Sequence, residues 1–177
     1  TASKADTWVT PKPGTDGALA LAIARELLIY DGGTNTKYDK DFVDNWTTGM
    51  TDFGSYLDGS LDGTEKNAAW GELQSGVPAA TITTIAHKLG DAFADGKRIC
   101  IDAWSGPGHH TNATQGGRAI CALALMLGSI DKPGTLFHPL RNSPSRLPGD
   151  STWPAKDGWR LDGKDDVTIS SDPTPVY

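Results

Sequence analysis

The segment "TDGALALAIARELLIY", residues 15–30, constrains the fold most. Leu19, Ile23 and Leu27 recur at helical spacing. Leu21, Ala22 and Leu28 widen that stripe until little but Arg25 and Glu26 remains polar. A helix of this kind is expected to be largely buried. Thr15 or Asp16 stands where a cap belongs, and Pro13 fixes the chain just before it. The 177 residues suffice for one domain with a real core.

Other elements follow from the same periodicities. "YDKDFVDNW" reads as a short helix packing through Phe42, Val43 and Trp46. From Thr47 to Gly76 the pattern weakens: "GSYLDGSLDGTEK" reads as loop, and "NAAWGELQ" as one or two helical turns. "VPAATITTIAHKLGDAF" is the cleanest amphipathic pattern, with Ile82, Ile85, Ala86, Leu89 and Phe93 on one face and Pro78 in the first turn. His87 lies off that face and reads as a solvated histidine. "DGK" at 95–97 turns the chain into a strand, Arg98–Ala103, and "RAICALALMLGSI" then reads as a buried helix.

Helix, strand and helix in succession predict an α/β layered domain with a parallel sheet. Only that strand and a possible short one at Trp8–Lys12 are evident, and a parallel sheet needs more. The missing strands are expected from sequence outside this chain, which lacks an initiator Met and a basic-then-apolar leader and reads as a fragment or one domain of something longer. After Leu136 the composition turns to Pro, Gly and Asp with little periodicity, so an irregular loop or tail is expected.

Net charge is −6 and the sequence pI near 5.0. That argues against a nucleic-acid surface, but not against a small anion bound by main-chain N–H groups. No apolar run approaches the roughly 20 residues that cross a bilayer, so no direct membrane insertion is expected. Cys100 and Cys121 lie in apolar runs and are expected to be buried thiols.

The joint between strand and helix, "WSGPGHHTNATQGG", is longer than a plain connection needs. Ligands of open α/β sheets bind beyond the carboxyl ends of strands, where this stretch falls. Ser105, Gly106, Pro107 and Gly108 let the backbone turn sharply, and Thr111, Asn112 or Thr114 can cap the next helix, whose first N–H groups could bind an anion. An ordinary capped turn explains the same residues, and both readings stand. No P-loop or dinucleotide glycine fingerprint is present. Adjacent His109 and His110 make poor partners for one metal ion, and Ser105 sits in no nucleophile elbow. In "KPGTDGA", Asp16 is favoured by the helix dipole. Alternatively its carboxylate could accept the N1–H and exocyclic amine of a guanine.

Several phrases together carry a resemblance. "ASKADTWVTPKPGTDGALALAIARELL" resembles "ADxWxxxxPGTDxALxLAM", "YDKDFVDNWTTGM" resembles "YDxEFVxxYTxGF", and "TEKNAAWGELQSGVPAATITTIAHKL" is similar to "TPEWAAxITGVPAxxIxxLAxxL". "GPGHHTNATQGGRAICALALMLGSIDKPGT" resembles "GxxQHTxGxxxxRAIxxLxxLTGNIGxPGT". These patterns are those of the catalytic subunits of the dimethyl sulfoxide reductase family, whose metal is molybdenum or tungsten held by two pyranopterin guanine dinucleotides. The matches run in the family's order over residues 2–140.

The resemblance implies a Rossmann-like α/β cofactor-binding segment over 1–140, with 141–177 as an irregular tail. It implies that Asp16 holds a guanine, with Gly14 and Thr15 shaping the approach. Gly108, His110, Thr111 and Asn112 would lie near phosphate or pterin. Arg118 could reach a phosphate or form a salt bridge, and Gly128 and Gly134 would serve turn geometry. Asp131 and "RNSPSRLPG" depart from the family pattern. The cysteine cluster of an iron–sulfur centre and the metal-ligating residue are absent and belong elsewhere in the family's chains, so no catalytic residue or metal ligand is assigned here. The implied partners are the rest of a catalytic subunit and an iron–sulfur electron-transfer subunit. The implied reaction is two-electron or oxygen-atom transfer, of thiosulfate/polysulfide reductase-like or formate dehydrogenase-like kind. The alternative is a free-standing α/β domain binding a nucleotide or phosphate without redox activity; a non-catalytic interaction module is a third possibility.

Overall fold

The computed structural model of the chain describes residues 2–130 and 132–135. Within them run α1 (Asp16–Ile29), α2 (Lys40–Trp46), α3 (Met50–Leu57), α4 (Ala68–Ser75), α5 (Ala79–Ala94) and α6 (Ala113–Met126), with short 3-10 turns at Ala2–Lys4 and Gly106–Gly108.

The central element is α1, which packs against α4, α5 and α6. Its Ala20, Ala22, Ile23, Ala24 and Leu27 are buried, as the near-continuous apolar pattern requires. Small residues set how closely its neighbours approach. A Cβ added at Gly71 of α4 would come within 2.6 Å of the Ala22 Cβ and 2.8 Å of the Ile82 Cδ1. On α5, Ile82 and Ala86 are fully buried, while Ile85, Leu89 and Phe93 of the expected face are half-buried against the same core.

One buried carboxylate joins two helices. Glu26 is 8% exposed, and its Oε1 accepts the Ala68 N–H at 2.9 Å. That N–H belongs to the first turn of α4, where no intrahelical acceptor exists and negative charge is favoured. On the solvent side Arg25 pairs with Glu65 at 2.6 Å. A second junction is centred on Asp39. Its Oδ1 accepts the Phe42 N–H at 3.0 Å and caps α2. Its Oδ2 accepts from the Lys132 ammonium at 2.5 Å, and its own N–H donates to the Met126 carbonyl at 2.7 Å. Burial alone would push the Asp39 carboxyl up. The Lys132 ammonium and the Phe42 N–H outweigh it and hold the group below the ordinary carboxylate range.

Several expectations need correction. No β-strand is present among the described residues, so the parallel sheet is not seen there. Residues 98–103 alternate in burial as a strand does, with Ile99 buried, Ile101 half-buried, and Arg98, Cys100 and Asp102 exposed. They have no sheet partner among the described residues, and a ladder needs a second chain segment. Trp8–Lys12 is likewise unpaired as strand; the Lys12 N–H instead donates to the Ser75 carbonyl at 2.8 Å. The expected loop from Gly54 begins inside α3, because Gly49 at φ +84° starts a helix whose Leu57 is fully buried.

Side-chain expectations shift too. Trp46 is 78% exposed, while Val43 carries the packing of α2. Cys100 and Cys121 are exposed. Cys100 falls on the outward side of the Ile99/Ile101 alternation, and Cys121 lies away from the Ala119, Leu123 and Met126 stripe of α6. His87 is half-buried and stacks on Tyr30, ring centroids 3.6 Å apart. Asp131 and the tail expected over 141–177 lie outside the described residues. No helix among the described residues is long and apolar enough to cross a membrane.

The Asp39 junction predicts acid sensitivity. A carboxyl whose folded pKa is depressed stabilises above its unfolded value of about 3.9 and loses that contribution as pH falls towards the folded value. The urea midpoint of the wild-type protein should therefore drop between about pH 5 and pH 3 more steeply than that of Asp39→Asn. Parallel slopes would refute the assignment.

Candidate functional site

The site is built where α1 and α6 cross. A Cβ added at Gly17 would lie 2.6 Å from the Gly116 Cα, inside any real carbon contact. Backbone therefore meets backbone in the first turns of both helices, and their amino-terminal ends are held side by side. Both ends carry a partial positive charge from unpaired N–H groups.

Neither end is closed by its own cap residue. Thr15 precedes α1 and Asn112 precedes α6, yet neither side chain caps its helix. The Thr15 hydroxyl instead donates to the Lys12 carbonyl at 2.6 Å, which tightens the "KPGT" turn. Asp16 opens α1 and is half-buried, and its carboxylate accepts no hydrogen bond from another described residue. A carboxylate left unengaged there is available to donors from a ligand.

The "PGTD" turn and the "HHTN" loop touch directly. Gly14 adopts φ +81°, and a Cβ on it would stand 3.1 Å from the His110 Cγ and 3.2 Å from its Nδ1. The left-handed backbone favours glycine here, and a side chain would press on the imidazole beside it. The His110 carbonyl accepts the Ala113 N–H at 3.0 Å and so leads the loop into α6.

A cleft of about 900 Å³ opens beside this crossing. Gly14, Thr15 and Asn112 line it. Phe53, Tyr56 and Trp70 from α3 and α4 give it an aromatic wall, and Arg118 lies on its rim. The Arg118 guanidinium donates to Gln115 Oε1 at 3.3 Å. Among the described residues, no group of three or more His, Cys, Asp or Glu side chains is placed to hold a metal ion.

The structure thus gathers Gly14, Thr15, Asp16, His110 and Asn112 around one helix crossing. Of these, Gly14, Thr15 and Asn112 line the cleft, whereas Asp16 and His110, like Gly108 and Thr111, are not among its lining residues. Gly108 closes the 3-10 turn through its N–H to the Ser105 carbonyl at 3.0 Å, and a Cβ there would meet open space. Its sharp-turn role therefore has no steric basis in this arrangement. Thr111 is exposed in the turn before α6. Gly17, Gly116 and the aromatic wall were not anticipated from the sequence. The small-residue pairs in "TDGA" and "QGGR" are the signal that could have found the crossing.

No family model matches the chain. The dimethyl sulfoxide/trimethylamine N-oxide reductase of Rhodobacter capsulatus is 40% identical over 129 residues, which is 73% of this chain and 14% of that protein. The pyrogallol hydroxytransferase large subunit of Pelobacter acidigallici is 37% identical over 131 residues, 74% of this chain and 14% of that protein. Among solved structures, acetylene hydratase from Pelobacter acetylenicus superposes with a TM-score of 0.59 at 25% identity, covering 72% of this chain and 16% of that one. The chain spans about 14% of the length of the curated relatives it matches.

The crossing predicts opposite effects for two glycines. Gly17→Ala forces α1 and α6 apart and should cost about 1–3 kcal/mol, beyond the gain in helix propensity. Gly117→Ala, on α6 next to Gly116, meets open space and should stabilise by up to about 1 kcal/mol. Urea denaturation of both variants reads the difference; equal effects would show that the crossing has slack.

Proposed function

The chain belongs to the dimethyl sulfoxide reductase family of molybdopterin enzymes, matching a segment of its longer members, and from that premise we propose that it holds part of a molybdopterin guanine dinucleotide. The observation that carries this reading is the meeting of the Gly14 turn, the His110 ring and two uncapped helix ends at the Gly17–Gly116 crossing. A side chain at Gly14 would fill the space beside the imidazole, and the unengaged Asp16 carboxylate suits a paired donor such as guanine.

In this reading Asp16 accepts the guanine N1–H and exocyclic amine as two charge-assisted bonds. Gly14 and Thr15 shape the approach of the nucleotide. His110 and Asn112, with Gly108 and Thr111 in the same loop, face phosphate or pterin, and the first N–H groups of α1 and α6 receive anionic oxygens. The bound group, with molybdenum or tungsten, would supply two-electron chemistry; the chain's residues bind and orient it. The metal ligand and an iron–sulfur centre are proposed to lie elsewhere in the protein, with an iron–sulfur electron-transfer subunit as partner.

The whole protein is proposed to be an oxidoreductase. The reductase relatives favour oxygen-atom transfer to or from a small substrate over the thiosulfate, polysulfide or formate chemistry that the sequence phrases suggested. A free-standing nucleotide- or phosphate-binding domain is not favoured, since the chain aligns within much longer proteins. Residues 98–103 are proposed to be one strand of a Rossmann-like parallel sheet whose neighbours lie in other segments of the protein.

The test uses the intact protein. Asp16→Ala should lower the guanine nucleotide released on denaturation by about tenfold or more, the equivalent of losing one to two bonds to a charged group. Undiminished guanine would overturn the Asp16 assignment. Wild-type protein without molybdenum, tungsten or pterin would overturn the cofactor reading itself.

A further inference from the structure

The cleft beside the helix crossing extends well past the residues assigned to the nucleotide. Its lining continues from Gly116 to Leu125 and Met126 of α6, about 14 Å further along the helix at about 1.5 Å per residue. Asp16 and His110, on which the cofactor reading rests, are not part of that lining. One wall is aromatic: Phe53 and Tyr56 come from α3 and Trp70 from α4, and all three are half-buried. A buried cation fixes the Tyr56 ring. Lys66 Nζ lies 4.1 Å from the ring centroid, and it donates to both Asp62 carboxylate oxygens at 2.6 Å and to the Thr64 carbonyl at 2.5 Å. The wall is therefore a set surface before any ligand arrives.

The charge around this cleft is opposite to that of the chain. The sequence carries 22 Asp and Glu against 16 Lys and Arg. Yet among the described residues no carboxylate lines the cleft, and Arg118 is its one charged lining residue. The guanidinium is exposed, donates to Gln115 Oε1 at 3.3 Å, and forms no ion pair among the described residues. Its planar fork of donors matches a carboxylate. Asn112, Gln74 and Gln115 add neutral amides. A cavity of about 900 Å³ with aromatic walls and a few polar groups has the size and make-up of a site for a small organic molecule.

We propose that this cleft is a binding site for a small aromatic carboxylate, separate from the nucleotide turn. The ring lies against Phe53, Tyr56 and Trp70, and the carboxylate pairs with Arg118. A neutral ring would leave the guanidinium to water, and an inorganic anion would leave the aromatic wall uncovered. A molecule that carries both groups answers both halves of the cleft. The inference goes beyond the cofactor reading and does not depend on Asp16. A side chain from elsewhere in the polypeptide is the competing occupant.

Two probes that differ in charge and little in shape, para-fluorobenzoate and para-fluorobenzamide, test this by fluorine NMR on the intact protein as isolated. The carboxylate should bind at millimolar concentration or below, and about tenfold more tightly than the amide, the equivalent of one charge-assisted bond. Arg118→Gln should abolish that preference and Arg118→Lys should keep part of it. Trp70→Leu should weaken both probes by about fivefold. Absence of binding by either probe would overturn the proposal and assign the cleft to another part of the polypeptide. Equal affinity for the two probes would overturn it as well, as would a preference that survives in Arg118→Gln. Release of guanine nucleotide by the carboxylate would also sink it, because the cleft would then belong to the cofactor site. Should Trp70→Leu fail to fold, the exposed Arg118 variants and the two wild-type titrations still decide. Protein that holds no guanine yet binds the carboxylate through Arg118 sinks the cofactor reading and leaves the cleft standing.

Discussion

The contact on which the rest depends is the meeting of Gly17 and Gly116. A Cβ at Gly17 would lie 2.6 Å from the Gly116 Cα, so the two helix backbones approach more closely than any side chain at position 17 would allow. Everything proposed for the site inherits its position from this crossing. Gly14 lies three residues before Gly17, and Asn112 four before Gly116. Each loop is closed by a few local hydrogen bonds, Thr15 to the Lys12 carbonyl in one and the Gly106–Gly108 3-10 turn in the other, and each leads into a helix whose first turn is packed against its neighbour. That is a means of placing irregular backbone: the position of each loop is set by the helix packed behind it.

The same economy appears in the use of buried polar groups. Glu26 caps α4, Asp39 caps α2 while binding Lys132, and Ser129 meets two main-chain groups of residues 98–103. No buried side-chain nitrogen or oxygen among the described residues lacks a partner. Each of these groups links elements distant in sequence, and each would leave an unpaired donor or acceptor if truncated, at about 1–3 kcal/mol. Specific polar junctions thus fix the registry that a core rich in alanine, with few interlocking large side chains, leaves undetermined.

The helices were the legible part of the sequence. α1 and α5 follow from periodicity because burial of an apolar stripe is a local pattern with a global cause. The PGTD and HHTN phrases were legible as a site only jointly: each alone is a capped turn, and their contact through Gly14 and His110 depends on a crossing that sequence spacing does not reveal. α3 was misread because "DFGSYL" places a glycine inside a helix, which costs propensity that the burial of Leu57 offsets. The sheet was expected from one convincing strand, and a strand is not an element until a second one pairs with it. Exposed Cys100 and Cys121 show the complementary error, since an apolar run reports average burial while a single position follows its own phase.

Residues 98–103 connect these arguments. One face lies on the helices through Ile99, one edge is shut by Ser129, and the carboxyl end runs into the loop that delivers His110 to Gly14. A loop beyond the carboxyl end of a strand, leading into a helix amino terminus, is where open α/β sheets bind their ligands. The precision of that loop then depends on both of its anchors. The Gly17–Gly116 crossing holds its far end. Its near end is tethered by Ser129, whose hydroxyl bonds the Ile99 carbonyl and the Ile101 N–H.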